Sequence, residues 1–432
     1  MLKYLLQIWQ SKDLRKKIIF TISLLVLFRL MTHITIPGVN LEALQVVFER
    51  NKLLGAFSLL TGGSAENFSI VLMGLSPYIN ASIIMQLMTV VSPRLEALSK
   101  EGEEGRRKIN QYTRWLTFPL AFLQSYGMIS LINASAPIPI IDNITDPTVI
   151  LPIMLTVSAG TIVLMWIGEL ITEKGIGNGI SLLIFGGIMA GIPSLAASTL
   201  ALTEQDAEKL IPLVATILLT IFFTIIVILV TEGQRRIPIT YAGHSKSARG
   251  EQATLPIRVN QAGMIPIIFA VSMVTFPSVM GQFLVNANSP WLQSVGQFFI
   301  DYFQTQSALY LVLYFLLIIA FTYFYVSITF NPETVAENIQ KRGGFIPGIR
   351  PGKETSKYLA KTSSHLNLWG GVFIAGIAVA PILIQGFFQE VSTGSIPIII
   401  SGAGLIIVVG VVLDLIRQVN AQLLSHHYDR FY

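Results

Sequence analysis

The sequence lacks cysteine and is poor in charge. None of its 432 residues is a cysteine, which excludes disulfide bonds, thiol catalysis and cysteine metal sites. Charged residues make up only 12% of the chain and hydrophobic residues 52%, whereas about a quarter of an ordinary soluble domain is charged. The composition therefore excludes an ordinary soluble globule and indicates a polytopic membrane protein.

Motifs of the common enzyme and metal classes are also missing. The five histidines form no HExxH pair, so we expect no zinc site, and the sequence contains no GxSxG elbow. The string around Lys353 resembles a phosphate loop only in part, because Pro347 stands where that loop needs glycine and Glu354 where it needs serine or threonine. We predict no catalytic residue, no metal, no cofactor and no energy source, so a partner must drive any uphill transport.

Charge-poor runs long enough to span hydrocarbon recur along the chain. We expect residues 18–36 to be a retained span rather than a removed signal, and residues 1–17 to form an amphipathic helix in the headgroup region. The ten predicted spans are residues 17–36, 68–91, 114–133, 148–170, 177–198, 210–231, 258–282, 307–330, 366–388 and 396–416. Because this number is even, both termini are predicted to lie on the same side of the membrane.

The basic residues predict the orientation of these spans. With the N-terminus in the cytosol, almost all of the 29 lysines and arginines fall in cytosolic segments. The opposite side receives only Arg50, Lys52 and Lys209, and Arg29 lies within the first span. By the positive-inside rule, both termini are therefore expected to be cytosolic.

Ten spans divide into five and five, and an odd number per half makes the second half cross the membrane in the opposite sense. We predict halves at residues 1–199 and 200–432, joined by a hinge at 200–210. This plan also occurs in secondary transporters of small solutes, which remain the alternative. Mid-span acidic residues or histidines, which ion-coupled carriers usually need, are absent, and Arg29 is expected to be a structural charge.

Two long cytosolic loops lie in the second half. Residues 232–257 alternate short β-type runs with a polar tip, which predicts a hairpin. Residues 331–365 are predicted to open with a helix that Asn331 caps and Pro332 begins. Exposed cations on these turns suit docking of an acidic or RNA-rich partner. Simple solvation of positive-inside charge explains them equally well.

The stretch 55–91 is unusual for a membrane protein. A short apolar run at 56–60 is halted by Thr61, Gly62 and Gly63 before the predicted span at 68–91. Non-helical backbone at membrane depth is tolerated only where protein wraps it or where it lines a wet cavity. The pattern predicts a re-entrant element beside a central opening, and the alternative is an apolar extracytoplasmic loop.

Many ordered strings between Leu14 and Tyr428 resemble the SecY family, whose members are the central subunits of the bacterial protein-conducting channel. The matching strings are IPGVN (36–40), TGGSAENFSI (61–70), GLSPYINASIIMQLMTVVSP (74–93), KEGEEGRRKINQYTR (100–114), MWIGELITEKGIGNGIS (165–181), EGQRRIPITYA (232–242), LPIRVNQAGMIPIIFA (255–270), FNPETVAENIQKRGGFIPGIRPGKET (330–355) and LDLIRQ (413–418).

The resemblance implies an all-α membrane protein with ten transmembrane helices in two inverted five-helix halves around an hourglass pore. Such a channel passes unfolded secretory polypeptides and releases apolar helices into lipid through a lateral gate, in which Gln86 would face Asn260. An apolar ring would constrict the pore, although without the family each ring residue would read as ordinary helix packing. The implied ring residues are Leu75, Ile79, Ile184, Ile268, Ser272 and one of Ile407 or Val408.

The resemblance also implies a plug at about residues 53–67 and a set of partners. These partners are the small single-span subunits SecE and SecG, the SecA motor ATPase, the ribosome, signal peptides and nascent chains, and anionic lipids of the plasma membrane. The implied plug residues are Phe57, Leu60, Gly62, Gly63 and Ala65. The implied cytosolic contact residues are Arg235, Arg236, Lys246, Arg249 and Arg350.

Overall fold

The structure is a computed structural model that describes most of the chain. The described residues are 11–50, 63–136, 138–141, 144, 146–205, 210–241, 253–285, 289–304, 307–391 and 401–429.

Within these residues the chain is mostly helical and carries one small sheet. In chain order the elements are α1 (Lys12–Met31), α2 (Leu41–Arg50), α3 (Ser76–Val91), α4 (Pro93–Lys100), α5 (Glu103–Ser135), α6 (Pro147–Lys174), α7 (Gly179–Gln205), α8 (Leu210–Glu232), β1 (Gln234–Tyr241), β2 (Ala253–Arg258), α9 (Ile265–Val285), α10 (Pro290–Tyr302), α11 (Ala308–Thr329), α12 (Pro332–Lys341), β3 (Gly344–Phe345), α13 (Lys353–Val391) and α14 (Gly402–Asp429).

The chain divides into two compact units. The first unit consists of Met1–Ala207, Thr275–Ser307 and Val411–Tyr432, and the second of Glu208–Val274 and Ala308–Gly410. In the first unit, α5 packs against α3 and α6, and α1 packs against α6 and α7. In the second unit, α13 packs against α8, α11 and α12. The division of the sequence into inverted halves at residue 199 stays a prediction.

A helix lies on each of the ten predicted spans. Among the described residues, six helices are long and apolar enough to cross a membrane, and α7 and α9 contribute the shorter apolar segments Gly179–Pro193 and Ile265–Ser278. These helices confirm a polytopic, mainly helical membrane protein. The count of ten crossings stays a prediction.

Several element boundaries differ from those predicted. Helix α3 begins at Ser76 rather than at residue 68, because residues 68–75 form turns. Helices α5 and α13 begin at Glu103 and Lys353, inside segments predicted as loops. Glutamate, lysine and arginine are good helix formers, so both helices continue out of the apolar region. Helices α2, α4 and α10 were not predicted at all, since hydropathy identifies only long apolar runs.

The glycine-rich string between α6 and α7 makes a tight turn, and it also contacts other helices. Gly177 has φ +89°, which a side chain rarely allows. Its N–H donates to the Gln418 Oε1 of α14 at 2.8 Å, and the Ile176 N–H donates to the Thr21 Oγ1 of α1 at 3.1 Å. The turn therefore joins three helices of the first unit, a role that its glycines alone did not indicate.

The start of α6 is set by a side-chain cap. Asp146 Oδ1 accepts hydrogen bonds from the Thr148 N–H at 2.9 Å and from the Thr148 hydroxyl at 2.7 Å, and Pro147 occupies the first turn. These two donors lower the pKa of the Asp146 carboxyl below its usual value, and the Thr148 hydroxyl has the larger effect. The capping carboxylate is therefore retained at neutral pH.

The hydrophobic core of the first unit surrounds Phe68. This side chain is fully buried, although its backbone has φ +42°, a conformation that only Phe68 adopts among the described residues other than glycine. A bulky residue with positive φ costs free energy and persists only where its surroundings hold it there. The buried apolar side chains of this core include Leu44, Val47, Leu72, Ile129, Ile132, Met154 and Val157.

We predict that Phe68→Ala destabilises the first unit by about 3–5 kcal/mol, because it leaves a cavity without relieving the positive φ, which alanine shares. The free energy of unfolding is measured in mixed micelles of rising dodecyl sulfate content, followed by tryptophan fluorescence. Phe118→Ala in α5, where the ring is 49% exposed, is the matched control. Equal losses for the two variants would show that Phe68 does not organise the core.

Candidate plug, pore and gate segments

Residues 63–75 form a buried stretch of turns ahead of α3. Ser64, Phe68 and Ser69 are fully buried, so their backbone polar groups lie away from solvent. Local bonds satisfy some of them: the Phe68 N–H donates to the Ala65 carbonyl at 3.1 Å, and the Ser69 N–H donates to the Ser64 carbonyl at 3.0 Å. The stretch is therefore irregular backbone folded upon itself.

Residues 34–36 add two further hydrogen bonds to this stretch. The Ile36 N–H donates to the Phe68 carbonyl at 3.1 Å, and the Ile70 N–H donates to the Ile34 carbonyl at 3.0 Å. The two segments thereby form an isolated antiparallel bridge. The non-helical backbone therefore extends through residues 68–75, which were predicted to be part of a span, and the re-entrant element beside a central opening stays a prediction.

Helix α6 covers the same stretch at very short range. A β-carbon built on Gly160 would lie 2.0 Å from the Ile70 carbonyl oxygen and 3.3 Å from the Val71 Cα. Only glycine leaves room for this contact between a helix and irregular backbone. A glycine near the middle of an apolar span is a signal of close packing, but a single sequence does not identify the segment that it contacts.

Arg29 lies at the end of α1, beside the start of the buried stretch. Its Nη1 is 3.5 Å from the Thr32 Oγ1, and a β-carbon built on Gly63 would lie 3.7 Å from the same nitrogen. The Asn67 side-chain amide donates to the Thr32 carbonyl at 3.1 Å. The end of α1 is thus attached to the last residues of the predicted plug segment, in agreement with a structural role for Arg29.

The predicted plug falls only partly on described residues. Phe57, Leu60 and Gly62 lie outside them. Gly63 begins the described stretch with φ +80°, and Ala65 is fully buried in the core of the first unit. The role of these residues as a plug stays a prediction.

The first unit supplies half of the predicted ring. Leu75 and Ile79 lie one turn apart at the start of α3, where the Ile79 N–H donates to the Leu75 carbonyl at 3.0 Å. Leu75 is buried, and Ile79 is half-buried. Ile184, on α7, is also buried. Leu75 and Ile79 therefore share a helix face as expected.

The second unit supplies the other ring residues. Ile268 and Ser272 are half-buried on α9, one turn apart. On α14, Ile407 is 1% exposed and Val408 is half-buried. The ring as an assembly of six side chains stays a prediction.

The two predicted gate residues each make a hydrogen bond within their own segment. The Gln86 Nε2 donates to the Ser82 Oγ one turn earlier on α3, at 3.2 Å. The Asn260 Oδ1 accepts from the Gly263 N–H at 2.8 Å, in the turn that precedes α9, and Asn260 is buried. These local bonds do not involve the other gate residue, and the pairing of Gln86 with Asn260 stays a prediction.

A polar cluster that sequence reasoning missed ties α13 to the segment before α9. The Ser363 Oγ donates to the Gln261 Oε1 at 3.0 Å, and the Asn367 Nδ2 donates to the Ser363 Oγ at 3.4 Å. One turn further along α13, a β-carbon on Gly370 would lie 2.4 Å from the Val259 carbonyl oxygen. The cluster and this close contact fix the entry to α9.

The described parts of the two predicted loops fold together into one body, which we call the platform: residues 233–241, 253–258, 331–352 and the first turns of α13. Strands β1 and β2 form the predicted antiparallel hairpin, and β3 adds to β1 so that the sheet order is β2-β1-β3. Asn331 caps α12 as predicted, accepting from two backbone N–H groups. The platform has its own core of Ile237, Ile239, Ile257, Ala336, Ile339, Ile346 and Leu359.

The platform exposes the predicted contact cations that can be described. Arg235 and Arg236 are exposed on β1, and Arg350 is exposed on the turn after β3. The Thr355 Oγ1 donates to the Arg350 carbonyl at 2.9 Å, which holds that turn against the start of α13. Lys246 and Arg249 lie at the hairpin tip, outside the described residues.

Other charged groups point to packing rather than chemistry. The Arg114 Nε lies 2.7 Å from the Glu169 Oε1 in an ion pair that joins α5 to α6. In the part of the chain that the structure describes, no group of three or more His, Cys, Asp or Glu side chains could hold a metal ion.

Known proteins are similar in sequence to this chain over most or all of its length. The sequence model of the SecY family matches residues 69–416. The chain is 42% identical over 440 residues to Protein translocase subunit SecY of Halalkalibacterium halodurans, covering 100% of both chains. It is 39% identical over 440 residues to the subunit of the same name from Aquifex aeolicus, covering 100% of this chain and 99% of that one.

Solved structures show the same fold. A protein-conducting channel matches with a TM-score of 0.68 at 19% identity, over 95% of this chain and 92% of that chain. Canine Sec61 from a ribosome–channel complex of the endoplasmic reticulum matches with a TM-score of 0.65 at 19% identity, over 95% of this chain and 92% of that chain. Family model, full-length relatives and fold agree, and the chain belongs to the SecY family.

Proposed function

We propose that this chain is the channel subunit through which unfolded polypeptides cross a bacterial plasma membrane and from which apolar helices enter lipid sideways. The observation that carries the proposal is the buried, irregular stretch at residues 63–75, which precedes the short helix α3 and is bonded to residues 34–36. Irregular backbone at membrane depth is tolerated only where it is buried in protein or lines a water-filled cavity. A simple bundle of spanning helices has no need of it.

The ring of six side chains is the proposed seal. An apolar constriction loses its water and so blocks ions, while flexible side chains close around a passing peptide of any sequence. Leu75 and Ile79 would face this constriction from one unit, and Ile268 and Ser272 from the other. Residues 53–67 would block the constriction from the outer side of the membrane when no polypeptide is present.

The gate would lie between α3 and α9. A hydrogen bond between Gln86 and Asn260 in a dry interface contributes on the order of 1 kcal/mol. That is enough to favour closure and little enough for an apolar signal helix to overcome. To form it, Gln86 would give up its local bond to Ser82, and Asn260 its local bond to the Gly263 N–H.

The platform is the proposed docking body for whatever pushes the polypeptide. Its exposed arginines would bind SecA or the ribosome on the cytosolic side, which the distribution of basic residues assigns to this face. Because the platform has its own core, it would present those arginines in fixed positions. SecE and SecG would be the accompanying single-span subunits, and anionic lipids would surround the basic face.

The natural absence of cysteine permits a direct test of the ring. We predict that single cysteines at Ile79 and Ile268 form disulfides with a stalled secretory chain that carries one cysteine, because both would face the moving peptide. Leu123→Cys, at a side chain that is 73% exposed on α5, is the lipid-facing control. Equal crosslinking at Leu123, or solute uptake by the purified chain driven by an ion gradient, would refute the channel and favour a transporter.

We predict that deletion of residues 53–62 makes vesicles containing the channel leaky to ions while protein export continues, because the stopper is removed but the ring remains. The deletion stops before Ser64 and Ala65, whose burial makes them part of the core of the first unit. Replacement of the same ten positions with glycine and serine is the control for chain length. Ion-tight vesicles with normal export would rule out a plug here.

We predict that Arg350→Glu weakens binding of SecA or of ribosomes to the reconstituted channel several-fold, and that the loss is largest at low salt, because exposed charges act through a screened attraction. Binding is measured by co-flotation with vesicles. Arg50→Glu, on the predicted outer side, makes the same charge change as a control. An equal loss for both variants would mean that net charge, rather than the platform, determines binding.

A further inference from the structure

Helix α10 joins α9 to α11, and one of its faces is packed tightly on the last turns of α9. A β-carbon built on Gly281 would lie 2.8 Å from the Gly296 carbonyl oxygen, and one built on Gly296 would lie 2.7 Å from the Gly281 carbonyl oxygen. Such reciprocal contact between two glycines brings the helix backbones together, as in membrane helix pairs. The protein-facing side of α10 is therefore fixed, and α10 cannot swing away from the end of α9.

A second face of α10 is an exposed aromatic stripe. Trp291, Phe298 and Tyr302 are 71%, 49% and 51% exposed. At about 100° per residue they fall within about 40° of one another around the helix. The Phe298 and Tyr302 rings stack with centroids 4.6 Å apart. Three large aromatic side chains are thus exposed on the same side of α10.

A third face of α10 is polar. Gln293, Ser294, Gln297 and Asp301 are all exposed and lie about 60–160° around the helix from Trp291. The Gln297 Nε2 donates to the Asp301 Oδ1 at 3.1 Å. Asp301 is the single charged residue of α10. The helix therefore presents protein-facing, aromatic and polar sides in three different directions.

We propose that α10 lies along the membrane surface, with the aromatic stripe in the headgroup layer of the lipid and the polar stripe in water. Three distinct faces are what a helix needs where protein, lipid and water meet. Tryptophan and tyrosine, whose rings are amphipathic, are enriched at that depth in membrane proteins. The distribution of basic residues places the end of α9 on the non-cytosolic side, so the lipid layer in question is the outer leaflet.

The position of α10 in the chain favours lipid over a partner protein as the occupant of the stripe. Helix α9 is apolar and ends at Val285, and α10 begins at Pro290. Four intervening residues reach at most about 15–18 Å, so α10 cannot leave the surface at which α9 emerges. An amphipathic helix held there binds through its buried apolar area.

The test compares neighbouring positions on the two exposed faces. Phe298→Cys on the aromatic stripe and Gln297→Cys on the polar stripe are each labelled with an environment-sensitive fluorophore, in the otherwise cysteine-free full chain. The chain is reconstituted with its partner subunits in phosphatidylcholine vesicles. Quenching by lipids with a headgroup nitroxide is compared with quenching by iodide in water. Tyr302→Cys on the aromatic stripe and Ser294→Cys on the polar stripe form a second pair, which shows whether a result at the first pair is caused by a local disturbance from labelling.

We expect lipid nitroxide to quench the probe at Phe298 several-fold more strongly than the probe at Gln297, and iodide to show the reverse order. Equal iodide quenching at both positions would place α10 in water and overturn the proposal. Protection of the Phe298 probe from both quenchers would also overturn it, because a protein would then cover the stripe.

Discussion

The structure depends on one constraint, that backbone N–H and C=O groups need hydrogen-bond partners when hydrocarbon surrounds a protein. Spanning helices meet this need internally, but residues 63–75 do not form a helix. They meet it through their own turns and through residues 34–36. The strained backbone of Phe68, the close approach of Gly160 and the attachment of Asn67 to the end of α1 all follow from enclosing this one stretch.

The platform illustrates a second way of holding irregular segments in place. Two loops separated by α9, α10 and α11 share one sheet and one small core, so neither needs to be stable by itself. A two-stranded hairpin is marginal in water, whereas a third strand and a packed helix stabilise it. The exposed arginines of the platform are consequently carried by a folded body rather than by flexible loops.

Much of this arrangement follows from local sequence patterns, and the rest does not. Long apolar runs located every predicted span, and Asn331 with Pro332 identified the start of α12, because both signals lie in consecutive residues. The start of α3 at Ser76 was missed because hydropathy does not distinguish whether the mainly apolar residues 68–75 are helical or in turns. The Gln261–Ser363–Asn367 cluster and the contact of Gln418 with Gly177 join residues far apart in sequence, and a single sequence does not reveal such pairs. The ring residues were chosen by family resemblance, since apolar residues in a helix carry no mark of facing a pore.

Helix α13 runs for 39 residues without interruption, which corresponds to about 58 Å at the rise of an α-helix. The hydrocarbon core needs only about half of this length. The rest of the rod reaches into the platform, and its Ser363 and Asn367 hold the entry to α9. A force applied to the platform is therefore transmitted along this helix towards the membrane, to the point where α9 begins.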